Sequence, residues 1–259
     1  MTYFFSDLLR RNAFLFWFGG VLILMSFFCF GLSLSVHEQI QGENLWAKPT
    51  RYYLSFGISI WSMAWLMDYL QSKVAKRVST FFLFTTVLAE TTIVMLQSAR
   101  GVPSHFNNTD PFNTLMHSTI LLSSLLYSMV VFYLCFLFFT QKKMPISQHY
   151  TWGIRMGILL FLIFSLSGGY MFHIMKHSVG GPDGGAGLPM FNWSTKYGDL
   201  RVAHFLGIHS LQIIPLVSYY FLQKKNQVIR FSILYAVLVI TMFILALAGI
   251  PIINFGLKT

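Results

Sequence analysis

Apolar residues fall in long blocks along this chain, and short polar connections between the blocks hold most of the charge. A helix needs roughly 20 apolar residues to cross about 30 Å of hydrocarbon. Seven windows meet that length: 13–36, 52–71, 79–99, 114–139, 153–176, 202–222 and 231–253. The pattern predicts an all-α integral membrane protein, a seven-transmembrane-helix bundle. The first window, Ala13 to Val36, is longer than a signal-peptide core and is not followed by a clear small-residue cleavage site, so it reads as a span. No internal repeat, low-complexity tract or hinge-like linker interrupts the pattern, and a single membrane domain over 1–259 is expected.

Composition supports this reading. The 259 residues are 55% hydrophobic and 10% charged, with a mean hydropathy of +0.62, whereas soluble domains carry roughly 25% charged residues. A soluble enzyme, a disordered chain and a nucleic-acid reader are excluded, and the lipid bilayer is the first partner. The net charge is +10, and ten cations (Arg10, Arg11, Lys73, Lys76, Arg77, Lys142, Lys143, Lys224, Lys225 and Arg230) fall on one side if the spans alternate. By the positive-inside rule that side is cytoplasmic, which puts the N-terminus in and the C-terminus out. A multi-pass plasma-membrane protein is predicted, with compact loops suggesting a bacterial inner membrane. Nothing in the sequence sets the oligomeric state.

The three outward connections, 37–51, 100–113 and 177–201, hold five of the eight acids: Glu38, Glu43, Asp110, Asp183 and Asp199. Seven of the eight histidines also fall in these loops or in the outer halves of helices, with only His149 cytoplasmic. Function is therefore expected to face outward. Cys29 and Cys135 lie inside apolar runs and offer neither a disulfide framework nor a thiolate site.

His173 and His177 are four residues apart at the end of the fifth window, a spacing that shares a helical face and suits one metal ion. Ser165 and Gly169 continue that helix as a small-residue seam. In the sixth window His209 aligns with Gln212, while Arg201 and His204 share another face; Gly207 and Pro215 permit local distortion there. His117 starts a stripe through Ser124 and Ser128. Glu90 lies near mid-membrane with Thr86 and Gln97 on about the same face, and an ionisable group at that depth is a functional candidate by default. Residues 99–113, ARGVPSHFNNTDPFN, and 180–201, GGPDGGAGLPMFNWSTKYGDLR, look built to cover a site. Their Arg100 and Arg201 suit a carboxylate or phosphate, or pair with Asp110 and Asp199. Asn107 and Asn192 start glycosylation triplets, which matter only in a secretory pathway.

Imidazole-rich sites suit haem iron, copper, non-haem iron or zinc. The expected metal ligands are His117, His173, His177, His204 and His209, with Arg100, Arg201, Trp193 and Gln212 binding a cofactor such as haem b, and Glu90 as proton route. In general style this is similar to membrane b-type cytochromes and haem A synthases, though their signature spacings are not present. The resemblance implies a haem- or metal-dependent oxidoreductase or electron-transfer protein acting on a small molecule, lipid or quinone. The His173–His177 pair also resembles that of seven-helix ceramidase-like hydrolases, which implies zinc, a lipid or amide substrate at the outer interface, and Asp199 as base. A third reading is a non-catalytic metal transporter or assembly partner.

Overall fold

The computed structural model describes residues 2–253; the first residue and 254–259 of the expected single domain lie outside the described residues. Apart from two short hairpins, the elements are helices: α1 (Thr2–Arg11), α2 (Ala13–Ser35), α3 (Ala47–Met67), α4 (Lys73–Ala99), α5 (Pro111–Thr140), α6 (Gln148–Ile174), α7 (Leu200–Ile208), α8 (Ser210–Tyr220) and α9 (Lys225–Leu247). The hairpins pair β1 (Gln39–Ile40) with β2 (Glu43–Asn44) and β3 (Ser178–Val179) with β4 (Gly198–Asp199), both antiparallel.

Local chemistry sets several of these ends. Asn12, Ser72 and Asp110 accept backbone N–H groups at the starts of α2, α4 and α5, and Pro111 occupies a first-turn position where its missing N–H costs nothing. Met175 in the left-handed region stops α6. The helix α1 was not foreseen. It buries Leu8 completely while exposing Tyr3, Phe4 and Phe5, the pattern of a helix lying along a surface.

Among the described residues five helices are long and apolar enough to cross a membrane: α2, α4, α5, α6 and α9. The pair α7–α8, bent by 45°, makes a sixth when counted as one span. This corrects the uninterrupted window 202–222. Gln212 and Ile213 donate to the His209 carbonyl just past the bend, and Pro215 leaves α8 one N–H short. The window 52–71 also shifts, since α3 starts at Ala47, and it is not among the helices apolar enough to span. The physical reason lies in its neighbours. Helix α3 packs along α2 and also meets α1, α4 and α8, and it turns Ser59 to the Tyr127 hydroxyl and Ser62 to Gln212. A helix shielded by others can carry polar groups where a lipid-facing one cannot.

The main core joins Leu15 and Leu22 of α2, Ile60 and Met63 of α3, Leu83 of α4, Leu134 and Phe138 of α5, and Ile154 and Ile158 of α6. Outside it, Trp17, Leu24, Phe27, Leu166 and Leu234 each expose more than half of their surface, as lipid-facing side chains do. Helices α6 and α8 approach through glycine: a Cβ on Gly157 would lie 2.9 Å from Pro215 Cδ, and one on Gly153 would collide with Ser218. The foreseen seam is thus displaced. Nothing lies within 4 Å of a Cβ at Gly169, whereas its neighbour Gly168 faces the His204 ring.

Candidate functional site

The connections after α2, α4 and α6 gather at one end of the bundle and interlock. Arg51 on α3 bonds both Glu43 carboxylate oxygens and the Met190 carbonyl, so it joins the first hairpin to the third loop. Asp183 accepts backbone N–H groups from His177 and Ser178, and its Oδ2 lies 2.9 Å from His177 Nδ1. Asp199, 2% exposed, accepts from the Ser194 and Arg201 backbone and from the Arg201 guanidinium. Arg201 also bonds the Asn192 carbonyl. Trp193 stacks on Phe191, their centroids 4.5 Å apart. These contacts make Asp183, Asp199, Arg201 and Trp193 the fasteners of a folded cap.

Beneath the cap sits a polar cluster centred on His105. Its Nδ1 lies 3.3 Å from Lys48 Nζ and 3.0 Å from Ser104 Oγ, and its Nε2 lies 3.0 Å from the Tyr52 hydroxyl. With Lys48 as donor to Nδ1, the ring carries its proton on Nε2 and donates it to Tyr52. Lys48 and Tyr52 are four apart on α3, so the first turns of that helix present both to the same ring. Burial, and after it the nearby Lys48, His177, His117 and His204, holds His105 well below the ordinary imidazole value. His177 is also lowered by burial, against the opposing hydrogen bond it donates to Asp183. Burial pushes the Asp183 carboxyl up, but the His177 side chain and the His177 and Ser178 amides outweigh it and hold the group below its usual range.

Phe106 occupies the space between three imidazoles. Its ring centroid lies 4.8 Å from His177, 6.0 Å from His105 and 6.2 Å from His117. Its backbone has φ 57°, left-handed and rare for a bulky residue. Phe172 stacks on His117, 5.3 Å away, and also meets Phe106 edge-on at 5.5 Å. Deeper in the bundle, the Ser124 hydroxyl donates to Glu90, which is 5% exposed. The stripe read from His117 through Ser124 thus serves the α4 carboxyl.

The structure brings His117, His177 and His204 to this region but not the full set of expected ligands. His173 and His177 share no helical face, because the left-handed turn at Met175 separates them and leaves His173 exposed. His204 hydrogen-bonds Ser167, 3.0 Å away, and His209 sits at the α7–α8 bend with its ring 4.3 Å from Phe205. Gln212 reaches Ser62. Arg100 bonds Gln97 and Asn113 rather than Asp110, which caps α5. Among the described residues no three His, Cys, Asp or Glu side chains are grouped to hold a metal ion. Neither the hollow of about 320 Å³ at Asp68–Gln71 and Lys143–Pro145 nor the one of about 10 Å³ beside Trp193 is lined by a histidine.

Sequence reasoning passed over Lys48 and Tyr52 and gave His105 no role. Their signal was the i, i+4 placement of a cation and a phenol where an outward loop enters a helix, a weak pattern without knowing which loop faces it. Comparison with family models, curated proteins and solved structures finds no match to this chain.

Proposed function

We propose that this chain is a seven-span membrane carrier that takes up a small anionic solute, a carboxylate or phosphate compound, at its outward end. The spans are α2, α3, α4, α5, α6, the bent pair α7–α8, and α9. The amphipathic α1 lies on the cytoplasmic surface, since the basic connections share its side.

The observation that carries this reading is the charge of Lys48. The two arginines near it are each neutralised, Arg51 by Glu43 and Arg201 by Asp199. Among the described residues Lys48 has no carboxylate within salt-bridge distance, only His105 and the Tyr52 ring. An uncompensated ammonium under a folded cap favours an anion, and it repels a divalent cation from the adjacent imidazole. That charge argues against the haem or transition-metal centre that the histidine count suggests. The bend in the α7–α8 span supports a carrier, because discontinuous helices are a recurrent feature of transport sites. Glu90, buried below the cluster, is the group that would exchange a proton with the bound solute.

The test is a thermal-shift titration of detergent-purified protein with inorganic phosphate, acetate and glycerol 3-phosphate at low salt. At one hundred times its dissociation constant a ligand adds about 2.7 kcal/mol to stability. At least one anion should stabilise the native chain and the Lys48→Arg variant but not Lys48→Met. No stabilisation by any anion, or equal stabilisation of Lys48→Met, overturns the assignment. A Soret band or a stoichiometric metal in the same sample would restore the oxidoreductase reading.

A further inference from the structure

The basic end of the bundle carries a second charge imbalance, independent of the outer site. Trp152 in the second turn of α6 has two cations over its indole: Lys225 Nζ is 4.2 Å from the ring centroid and Arg155 Cζ is 5.5 Å away. Arg155 spends Nε on the Phe138 carbonyl, 2.8 Å away, and Nη2 on the Gln141 carbonyl, 3.2 Å away, where α5 ends. Its Nη1, the Lys225 ammonium and the Trp152 indole N–H have no hydrogen-bond partner among the described residues. Lys142, Lys143 and Lys224 are exposed beside them on the same connections. The acids near the basic end are Asp7, which pairs with Arg10 and Arg11, and Asp68, which pairs with Arg11 and Lys76. Among the described residues no carboxylate pairs with a cation at this corner, where α6 packs against α5 and α9.

We propose that this corner seats the phosphodiester of one anionic phospholipid. Three donors border it: a planar guanidinium edge, an ammonium and an indole N–H. Phosphate oxygens suit all three. The position favours a lipid over a soluble phosphate, since Trp belongs at the headgroup level of a bilayer. Phe221 and Tyr220, exposed at the end of α8 just before Lys225, supply apolar surface for the acyl chains. Two cations would otherwise share one indole without a counter-charge, and a headgroup phosphate removes that cost.

Native mass spectrometry of the delipidated full chain in detergent tests this, with phosphatidylglycerol, phosphatidylcholine and inorganic phosphate as probes. The native chain should retain phosphatidylglycerol in preference to phosphatidylcholine. Lys225→Gln should lower that preference by about fivefold, the worth of one cation near a charged headgroup, while thermal stability stays unchanged. Trp152→Leu, which leaves both cations in place, should lower it as well. Equal retention of the two lipids overturns the proposal, as does a preference that survives both substitutions. Binding of inorganic phosphate with the same dependence on Lys225, without discrimination between the lipids, would make this an ion site and likewise overturn it.

Discussion

His117 Nδ1 accepts the backbone N–H of Phe106 at 3.2 Å and so holds a bulky residue in the left-handed region, φ 57°. The link joins the first turns of α5 to the loop that carries His105. It also fixes the His117 tautomer: Nδ1 accepts, so the proton resides on Nε2. Strained residues of this kind persist only where their surroundings over-determine them, and here three imidazoles and Phe172 surround one ring.

His117→Phe keeps a ring on Phe172 and removes only the acceptor. The half-buried Phe106 N–H is then left without this partner, at a cost of about 1 kcal/mol. Hydrogen exchange at residues 104–107 should accelerate while the middle of α4 stays protected. Unchanged exchange in the loop would show that packing alone holds Phe106.

The cap should loosen as pH falls. His105 and His177 both titrate below the ordinary imidazole value when folded, so between the folded and unfolded values, the latter near 6.5, the unfolded chain binds more protons. Their contribution to stability is complete above about pH 6.5 and is lost as pH drops through their folded values. Asp183, also lowered on folding, loses its contribution only below the ordinary carboxylate range. The opening constant of residues 100–110 and 177–199, obtained from exchange rates divided by the intrinsic rate at each pH, should therefore rise as pH falls below about 6.5, and His177→Gln should flatten the rise. A pH-independent cap would contradict the burial of these rings.

Much of this fold was legible because the dominant force is one-dimensional. Blocks such as 114–139 and 153–176 must be helical to satisfy their backbone in lipid; α5 extends the first at both ends, and α6 starts five residues before the second and stops two short of its end. Legibility failed where neighbours decide the outcome. Helix α3 reads as a weak span because its serines face Tyr127 and Gln212 rather than lipid. The His173–His177 spacing implied one face only if the helix continued, and the turn at Met175 depends on the hairpin that follows. Which loop meets which is a tertiary fact, so the contact of Lys48 with His105, 57 positions away, left no local trace.

Two glycines of α6 should respond to alanine with opposite signs. At Gly157 an added Cβ meets Pro215 Cδ and the Ser210 carbonyl at 2.9 Å, and the carbonyl cannot move away without shifting the start of α8. Gly157→Ala should cost about 1–3 kcal/mol as overpacking. At Gly169 the same methyl enters open space, and Gly169→Ala should gain about 1 kcal/mol of helix propensity. Unfolding in mixed micelles with increasing denaturing detergent measures both. Equal effects would mean that the α6–α8 approach is looser than the structure has it.

Glu90 provides the sharpest separation of packing from chemistry. Among the described residues its one side-chain hydrogen bond is from the Ser124 hydroxyl, which donates to it, and an amide oxygen can accept the same bond. Glu90→Gln should therefore leave thermal stability nearly unchanged, whereas Glu90→Leu strands the Ser124 hydroxyl and costs about 1–3 kcal/mol. A carboxyl at mid-bundle is expensive to keep charged, and the proposed carrier would use Glu90 by changing its protonation. If the outward site couples anion uptake to a proton, the calorimetric heat of anion binding to the native chain should vary with the ionisation enthalpy of the buffer. Glu90→Gln should bind the same anion with a heat independent of buffer. Buffer dependence that survives in Glu90→Gln would place the exchanged proton elsewhere, with His105 next in line because it already touches Lys48 and Tyr52.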